Sequence, residues 1–201
     1  MLYRNKNLIL TSLNTMRYFP VLIILLTAHF YSFSQGTAKA KVEAYRGKFW
    51  GSTPNELGQK DYWRTEYEAN VLFEGYEDKK DPKTIEGVKI MHTVYFYRAN
   101  KLCKVKVTLV DEKEGDAQVI LGFLQSKYGA ETSKLNMYTG TTQYKQTKYT
   151  FETKEGNYIE YYMNTWSDKS IFTEEFARIN NPIRSYFVIY SPETREALSD
   201  W

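Results

Sequence analysis

A run of alternating aromatic and polar residues is the part of this sequence best suited to binding a ligand. Alternate side chains of a β-strand project from the same face, so these residues would share one face. They are Tyr158, Glu160, Tyr162, Asn164 and Trp166. Flat rings beside hydrogen-bonding groups can bind a glycan or an extended peptide, and Tyr149 and Phe151 of the preceding segment would join them. We therefore take this face as the candidate ligand-binding site.

The same rings are also what the core of a sheet would contain, because Tyr and Trp are large strand formers. The residues between them, Ile159, Tyr161 and Met163, are apolar too, and one face of the strand must lie inside. From the sequence alone we favour the core interpretation, in which the Tyr158 face lies beneath a helix.

The sequence has few residues that could support catalysis by histidine or cysteine, or metal binding. Apart from His29 near the start, His92 is the only histidine, and Cys103 is the only cysteine. Zinc sites need several such ligands, and a single cysteine forms no intramolecular disulfide. We expect a buried Cys103 and a neutral His92 packed against a helical layer. The sequence predicts no catalytic residue, no metal site and no cofactor.

Carboxylates are abundant, so a small exported hydrolase with paired carboxylates is the alternative function. Glu66 with Glu68, or Glu174 with Glu175, would be arbitrary choices among many such pairs, and solvated surface charge is the commoner role of these residues. The acidic stretch 111–116 lacks the alternating ligand order of a calcium loop, which predicts a plain turn. No nucleophile elbow, HExxH, or phosphate- or dinucleotide-binding pattern occurs.

The charge balance argues against nucleic acid as a partner. The chain has 27 Lys and Arg and 24 Asp and Glu, and the first 34 residues hold three of the basic residues and no acidic one. The remainder therefore has 24 of each and is neutral. A groove for phosphates needs a local surplus of Lys and Arg.

The first 34 residues read as a signal peptide. Arg17 precedes an apolar run at 19–28, and Ser32-Phe33-Ser34 places small residues before Gln35. We predict cleavage there, with no stable membrane span afterwards; a retained anchor, which needs about 20 apolar residues, is the alternative. Translation starts at Met1 or Met16. The lone cysteine and the lack of an Asn-x-Ser/Thr sequon favour a bacterial periplasmic or secreted protein.

The predicted organisation is a flexible tether at 35–43 and a single domain at 44–201. The best-determined element is a hairpin of 88–97 and 102–110, in which symmetric pairing sets Phe96 opposite Cys103 and His92 opposite Val107. The other face of this hairpin would carry Thr93, Tyr95, Lys104 and Lys106. The remaining predicted elements are strands 45–50, 71–76 and 186–190, a helical piece or loop at 61–69, a hairpin of 144–153 and 158–166, and helices beginning at Thr53, Asp116, Thr173 and Ser191.

This order of elements predicts an α+β fold: an antiparallel sheet of about six strands with helices packed on one face, compatible with two α-β-β-β units. Three segments resemble small exported bacterial domains of unknown function. They are Phe49-Trp50-Gly51-Ser52-Thr53-Pro54-Asn55-Glu56-Leu57, the hairpin with Tyr97, Asn100, Lys101 and Leu102 around its turn, and Leu124-Gln125-Ser126-Lys127-Tyr128-Gly129. Those domains have a W-G-[ST]-x-x-E start, a central hairpin and a helix ending K-Y-G. The resemblance implies an α+β sandwich and an envelope location, and no catalytic residues.

The function most consistent with these features is an exported, non-catalytic binding or accessory module. Its partner would be an envelope protein or a glycan.

Overall fold

The computed structural model describes residues 41–110, 115–137, 144–166 and 184–199, together with their side chains except those of Tyr144 and Trp166. The predicted signal peptide, most of the tether and of the acidic stretch, and the helix predicted from Thr173 lie outside the described residues. The described residues belong to one compact unit.

The described residues are mostly β-structure. Two short strands, β1 (Glu43–Tyr45) and β2 (Lys48–Phe49), form a small sheet. The others form one nine-stranded antiparallel sheet in the order β3-β4-β6-β7-β11-β10-β9-β8, with β5 pairing with β6. Its strands are β3 (Lys60–Glu68), β4 (Val71–Asp78), β5 (Thr84–Ile85), β6 (Val88–Arg98), β7 (Lys101–Leu109), β8 (Ser133–Met137), β9 (Tyr144–Glu152), β10 (Tyr158–Trp166) and β11 (Tyr186–Tyr190). The helices are a 3₁₀ turn (Pro54–Glu56), α1 (Asp116–Tyr128) and α2 (Pro192–Ser199).

The predicted α+β fold with about six strands is therefore wrong, and so is its division into two α-β-β-β units. The described part of the chain holds only two α-helices. The sheet is larger because the segment predicted as a helical piece or loop at 61–69 is the edge strand β3. The polar segment Ser133–Met137 adds the opposite edge strand.

Several local predictions are confirmed. α1 runs from Asp116 to Tyr128 and ends at Gly129, whose positive φ of 93° is the conformation that glycine adopts most easily. The second hairpin and the strand Tyr186–Tyr190 also lie where the sequence predicts them. Ser191 opens α2, because its Oγ accepts a hydrogen bond from the Thr194 N–H at 3.2 Å.

The predicted register of the β6–β7 hairpin is wrong over most of its length. Ala99 and Asn100 both have positive φ, of 48° and 64°, which makes a two-residue turn. Irregularities between Ile90 and His92 and between Phe96 and Tyr97 then shift the pairing. The observed partners are His92 with Thr108, Thr93 with Val107, Val94 with Lys106, Tyr95 with Val105 and Phe96 with Lys104.

This shift exchanges the two faces of β6 between Thr93 and Phe96, whereas β7 keeps Val105 and Val107 in the core as predicted. Tyr95, predicted to point outward, is fully buried with Val105 in the main core. Thr93, also predicted outward, is buried. Lys104 and Lys106 lie on the opposite face, opposite Phe96 and Val94.

The two faces of the large sheet therefore differ. We call the face that carries the main apolar cluster the core face; α1 adds Ile120, Leu121 and Leu124 to that cluster. The strand residues of the cluster include Tyr95, Val105, Val107, Tyr149, Phe151, Ile159, Tyr161, Met163, Phe187 and Ile189. We call the other face of β7, β11 and β10 the polar face. A small second cluster of Phe73, Val94, Phe96 and Cys103 borders it.

The hairpin of β3 and β4 brings carboxylates of an edge strand to the polar face. β4 pairs with β6 at Gly75, where a Cβ atom would lie only 2.9 Å from the side chains of Phe96 and Val94. Glycine at this position thus allows β4 to pass close over these two side chains. As a result, Glu66 and Glu68 of β3 contact Lys104 of β7, although β4 and β6 lie between the two strands in the sheet.

Candidate functional site

The polar face is built from three strands in regular register. β11 pairs with β7 on one side and with β10 on the other, so side chains line up across the three strands. The rows, from β7 through β11 to β10, are Lys104, Tyr190 and Tyr158; Lys106, Val188 and Glu160; and Thr108, Tyr186 and Tyr162.

A buried lysine anchors one end of this face. Lys104 is 1% exposed, and its Nζ lies 4.5 Å from the centre of the Phe73 ring and 4.4 Å from that of Phe96. The same atom contacts Glu68 Oε2 at 2.8 Å and Glu66 Oε1 at 3.3 Å. Burying an ammonium group is costly unless it is paired, and here two carboxylates and two ring faces surround it.

Glu68 also accepts a hydrogen bond from a tyrosine of the neighbouring row. The Tyr190 hydroxyl donates to Glu68 Oε1 at 3.0 Å. Burial, and then the charge of Glu68, raises the pKa of Tyr190 above its ordinary value, so this hydroxyl remains a donor. Lys104 and Tyr190 together hold both oxygens of Glu68.

A second carboxylate is held in a similar way on β10. Glu160 accepts a hydrogen bond from the Tyr162 hydroxyl at 2.8 Å and forms an ion pair with Lys148 of β9. The Tyr162 ring stacks on that of Tyr186, with their centres 4.7 Å apart. Burial raises the pKa of Tyr186 to about 12, with Glu160 adding to the effect.

A pocket of about 350 Å³ opens between these two carboxylates and α2. Carboxylates, tyrosine rings, a guanidinium and a hydroxyl surround a small apolar area. The lining residues are Glu68, Tyr158, Glu160, Tyr190, Arg195, Leu198 and Ser199. Arg195 lies 4.2 Å from the centre of the Tyr158 ring and pairs with Glu152, and both partners of that pair are largely exposed.

The structure brings some of the predicted site residues together and separates others. Tyr158 and Glu160 line the pocket, and Tyr162 holds Glu160 from beside it. Asn164 is buried and takes part in hydrogen bonds with Gln146 and Ser185, away from the pocket lining. The Trp166 side chain lies outside the described part of the chain.

The favoured core interpretation of the Tyr158 face is wrong. Ile159 and Tyr161 are fully buried, whereas Tyr158, Glu160 and Tyr162 are only half-buried. The Tyr161 hydroxyl donates to the Ala117 carbonyl of α1 at 2.6 Å, so the helix covers the alternate face. Tyr149 and Phe151 pair with Tyr161 and Ile159 and belong to the core face, not to the candidate site.

His92 differs from its prediction, and Cys103 partly agrees with it. His92 lies beside β3 and β4, and not in the core: its side chain is 31% exposed, its Nδ1 lies 2.9 Å from Glu77 Oε1, and its ring centre lies 4.2 Å from that of Trp63. Cys103 is buried as predicted, and its thiol donates to the Phe96 carbonyl at 3.4 Å. Burial raises the pKa of this thiol.

The pair Glu66 and Glu68, considered above for hydrolysis, binds a common lysine. Burial alone would raise the pKa of Glu66, but Lys104 and Lys106 hold it below its ordinary value. A general acid at neutral pH needs the opposite shift. The pair Glu174 and Glu175 lies outside the described residues.

Sequence reasoning did not assign five of the seven lining residues to this site: Glu68, Tyr190, Arg195, Leu198 and Ser199. Glu68 and Lys104 are 36 positions apart and meet only because the β3–β4 hairpin reaches over the sheet. Arg195 reaches Tyr158 through the packing of α2. Hydrophobic periodicity contains no information about these contacts.

Within the described ranges, no group of three His, Cys, Asp or Glu side chains is arranged to hold a metal ion. Of the helices in the same ranges, none has the length and hydropathy needed to cross a membrane. No family model, no curated protein and no solved structure matches this chain.

Proposed function

We propose that this protein is an exported, non-catalytic binding or accessory module of the bacterial envelope, and that its pocket binds a hydroxyl-rich ligand such as a glycan. One observation carries the proposal: the pocket of about 350 Å³ combines tyrosine rings with two carboxylates that already have cationic partners. Pockets of this size with a few convergent polar groups are the usual sites of small ligands.

The chemistry of the pocket favours sugars. Glu68 and Glu160 each pair with a lysine, so neither requires a cation from the ligand. Their oxygens retain lone pairs that can accept from sugar hydroxyls, while Arg195 can donate. The ring of Tyr158 offers an apolar surface to the C–H groups of a sugar.

Binding has more support than the alternative of hydrolysis by paired carboxylates. Glu66 and Glu68 share Lys104, and the lowered pKa of Glu66 is the reverse of what a general acid needs. Carboxylates that are paired with a lysine in this way are suited to accepting hydrogen bonds from a ligand.

The proposed envelope location is supported by the leader pattern and by the resemblance to small exported bacterial domains. Intact mass of exported material tests it: we expect residues 35–201, less ammonia if Gln35 cyclises. A mass that retains residues 19–28 would contradict cleavage.

Glycan binding is tested by titrating the purified protein with a panel of neutral and acidic oligosaccharides. We expect at least one to bind, and we expect Tyr158→Ala and Glu160→Gln each to weaken that binding about tenfold or more. Tyr67→Ala is the matched control, because Tyr67 is 73% exposed on β3 and does not line the pocket. Binding that survives both pocket variants unchanged, or a panel without any binder, refutes the proposal.

A further inference from the structure

One lysine of the polar face has a half-buried amine and, among the described residues, no counter-ion. Lys106 lies on β7 between Lys104 and Thr108, and its Nζ lies 4.8 Å from the centre of the Tyr186 ring. Among the residues that the structure describes, Lys106 forms no ion pair and donates no hydrogen bond to a side chain.

The carboxylates near Lys106 are already held by other groups. Glu66 exerts the strongest attraction on Lys106, yet its two oxygens contact Lys104 and Arg64 at 3.3 and 3.2 Å. Glu68 and Glu160 are held by the lysine and tyrosine partners described above. Lys106 is therefore the cation that these contacts leave without an anion.

Burial makes such an amine costly in the free protein. Loss of hydration lowers the pKa of Lys106, and the neighbouring cations Arg64 and Lys104 lower it further, against the attraction of Glu66. An anion brought by a ligand would offset this cost. Because the charged hydrogen bond would form in a partly desolvated place, it would contribute more than one on an open surface.

Lys106 lies in the same row as a lining residue of the pocket. Both Lys106 and Glu160 pair with Val188, one from each side. Neighbouring strands lie about 4.8 Å apart, so the two Cα atoms are separated by about 10 Å. The side chains that flank Val188 along β11 are Tyr186 and Tyr190, so an aromatic wall continues from the pocket towards Lys106.

We infer that the ligand is an acidic sugar chain, with one sugar ring in the pocket beside Tyr158 and a carboxylate of the chain paired with Lys106. This inference rests on the proposed function and names the ligand class. A single ammonium group matches a single carboxylate. Phosphate monoesters carry nearly two charges and are commonly held by several donors, such as backbone N–H groups at a helix N-terminus.

The test compares two probes with the same sugar backbone, tri-galacturonate and its fully methyl-esterified form, in which three neutral methyl esters replace the three carboxylates. Each is titrated calorimetrically into the purified wild-type protein and into Lys106→Met, Lys106→Arg and Tyr158→Ala. Lys101→Met is the matched control, because Lys101 is an exposed lysine at the start of the same strand. Thermal unfolding confirms that each variant is folded.

We expect the wild type to prefer the acid, and Lys106→Met to weaken binding of the acid about tenfold or more while leaving the ester unchanged. Lys106→Arg and Lys101→Met should retain the preference, and Tyr158→Ala should weaken both probes.

Equal binding of both probes, unaffected by Lys106→Met, overturns the inference but leaves the proposed glycan site standing. If neither probe binds, the inference of an acidic ligand is overturned. The wider panel of oligosaccharides then tests the proposed function separately.

Discussion

The core face and the polar face lie on opposite sides of the same three strands, and different interactions stabilise their side chains. On β7, β11 and β10, residues such as Val105, Ile189 and Tyr161 point to one side, and Lys104, Tyr190 and Tyr162 point to the other. The core face gains stability by removing apolar area from water under α1. The polar face keeps charged groups in place by pairing them. Apolar packing therefore stabilises the core face, whereas ion pairs and hydrogen bonds stabilise the polar face.

The largest effect should come from the core face. Phe151 is fully buried in the main cluster, so Phe151→Ala should lower the free energy of unfolding by about 3–5 kcal/mol. Tyr158→Ala on the polar face should cost less than half as much, since Tyr158 is half-buried. Urea unfolding of both variants measures the two losses in free energy of unfolding. Equal losses would contradict the distinction between the two faces.

The next effect is an asymmetry within the ion pairs of the polar face. Replacing Glu66 and Glu68 together by Gln leaves Lys104 buried without an anion and should cost about 3–5 kcal/mol. Lys104→Met should cost less than about 1.5 kcal/mol, because methionine fills the space between the two rings and both carboxylates are partly exposed. Chemical unfolding of the two variants compares the costs. If Lys104→Met lowers the free energy of unfolding more than the double substitution does, the carboxylates need the lysine more than the lysine needs the carboxylates.

A smaller, pH-dependent effect is expected at Asp78, where a carboxylate is the buried partner. Asp78 is 3% exposed, pairs with Lys48 at 3.0 Å, and accepts hydrogen bonds from the backbone N–H groups of Gly58, Gln59 and Lys80. Burial opposes ionisation, but these partners prevail and hold the pKa of Asp78 well below its ordinary value.

Because the folded-state pKa is lowered, this stabilisation is present above the unfolded pKa of about 3.9 and is lost as the pH falls towards the folded value. Asp78→Asn should therefore cost about 2 kcal/mol at pH 7, and the difference from wild type should shrink below pH 4. Unfolding in urea at pH 7 and pH 3 measures both values. A difference that does not change with pH would contradict the ionised role.

The smallest effect is expected at His92. A core histidine, as the sequence predicts, would cost about 1–3 kcal/mol when replaced by Gln. In the structure His92 is partly exposed beside Glu77 and Trp63, so His92→Gln should cost less than about 1 kcal/mol and should leave ligand binding unchanged. Thermal unfolding together with the glycan titration checks both expectations; a larger loss of stability would show that the contact with Trp63 is worth more than its exposure indicates.

Two of the seven residues that line the pocket, Tyr158 and Glu160, could be predicted from the sequence, together with Tyr162 beside them. Tyr158, Glu160 and Tyr162 share a face because side chains alternate along a strand, and this local rule does not depend on the rest of the fold. Glu68 and Arg195 could not be predicted, since they reach the site through the β3–β4 hairpin and α2. The edge strand β3 was itself missed, because an exposed strand with many charges lacks the apolar alternation that marks a half-buried one.

The sequence by itself determined the elements whose signals are local: α1 with its terminal Gly129, the β9–β10 hairpin, β11, and the start of α2 at Ser191. It also indicated the burial of Cys103. Tertiary structure alone decided the size of the sheet, the register of β6 and β7, and which face of β10 lies inside. Alternation shows which residues lie together on a face, but both faces of β10 carry large apolar or aromatic side chains, so the contact of Tyr161 with α1 is what decides between them. Register depends in the same way on bulges whose positions are set by packing across the sheet.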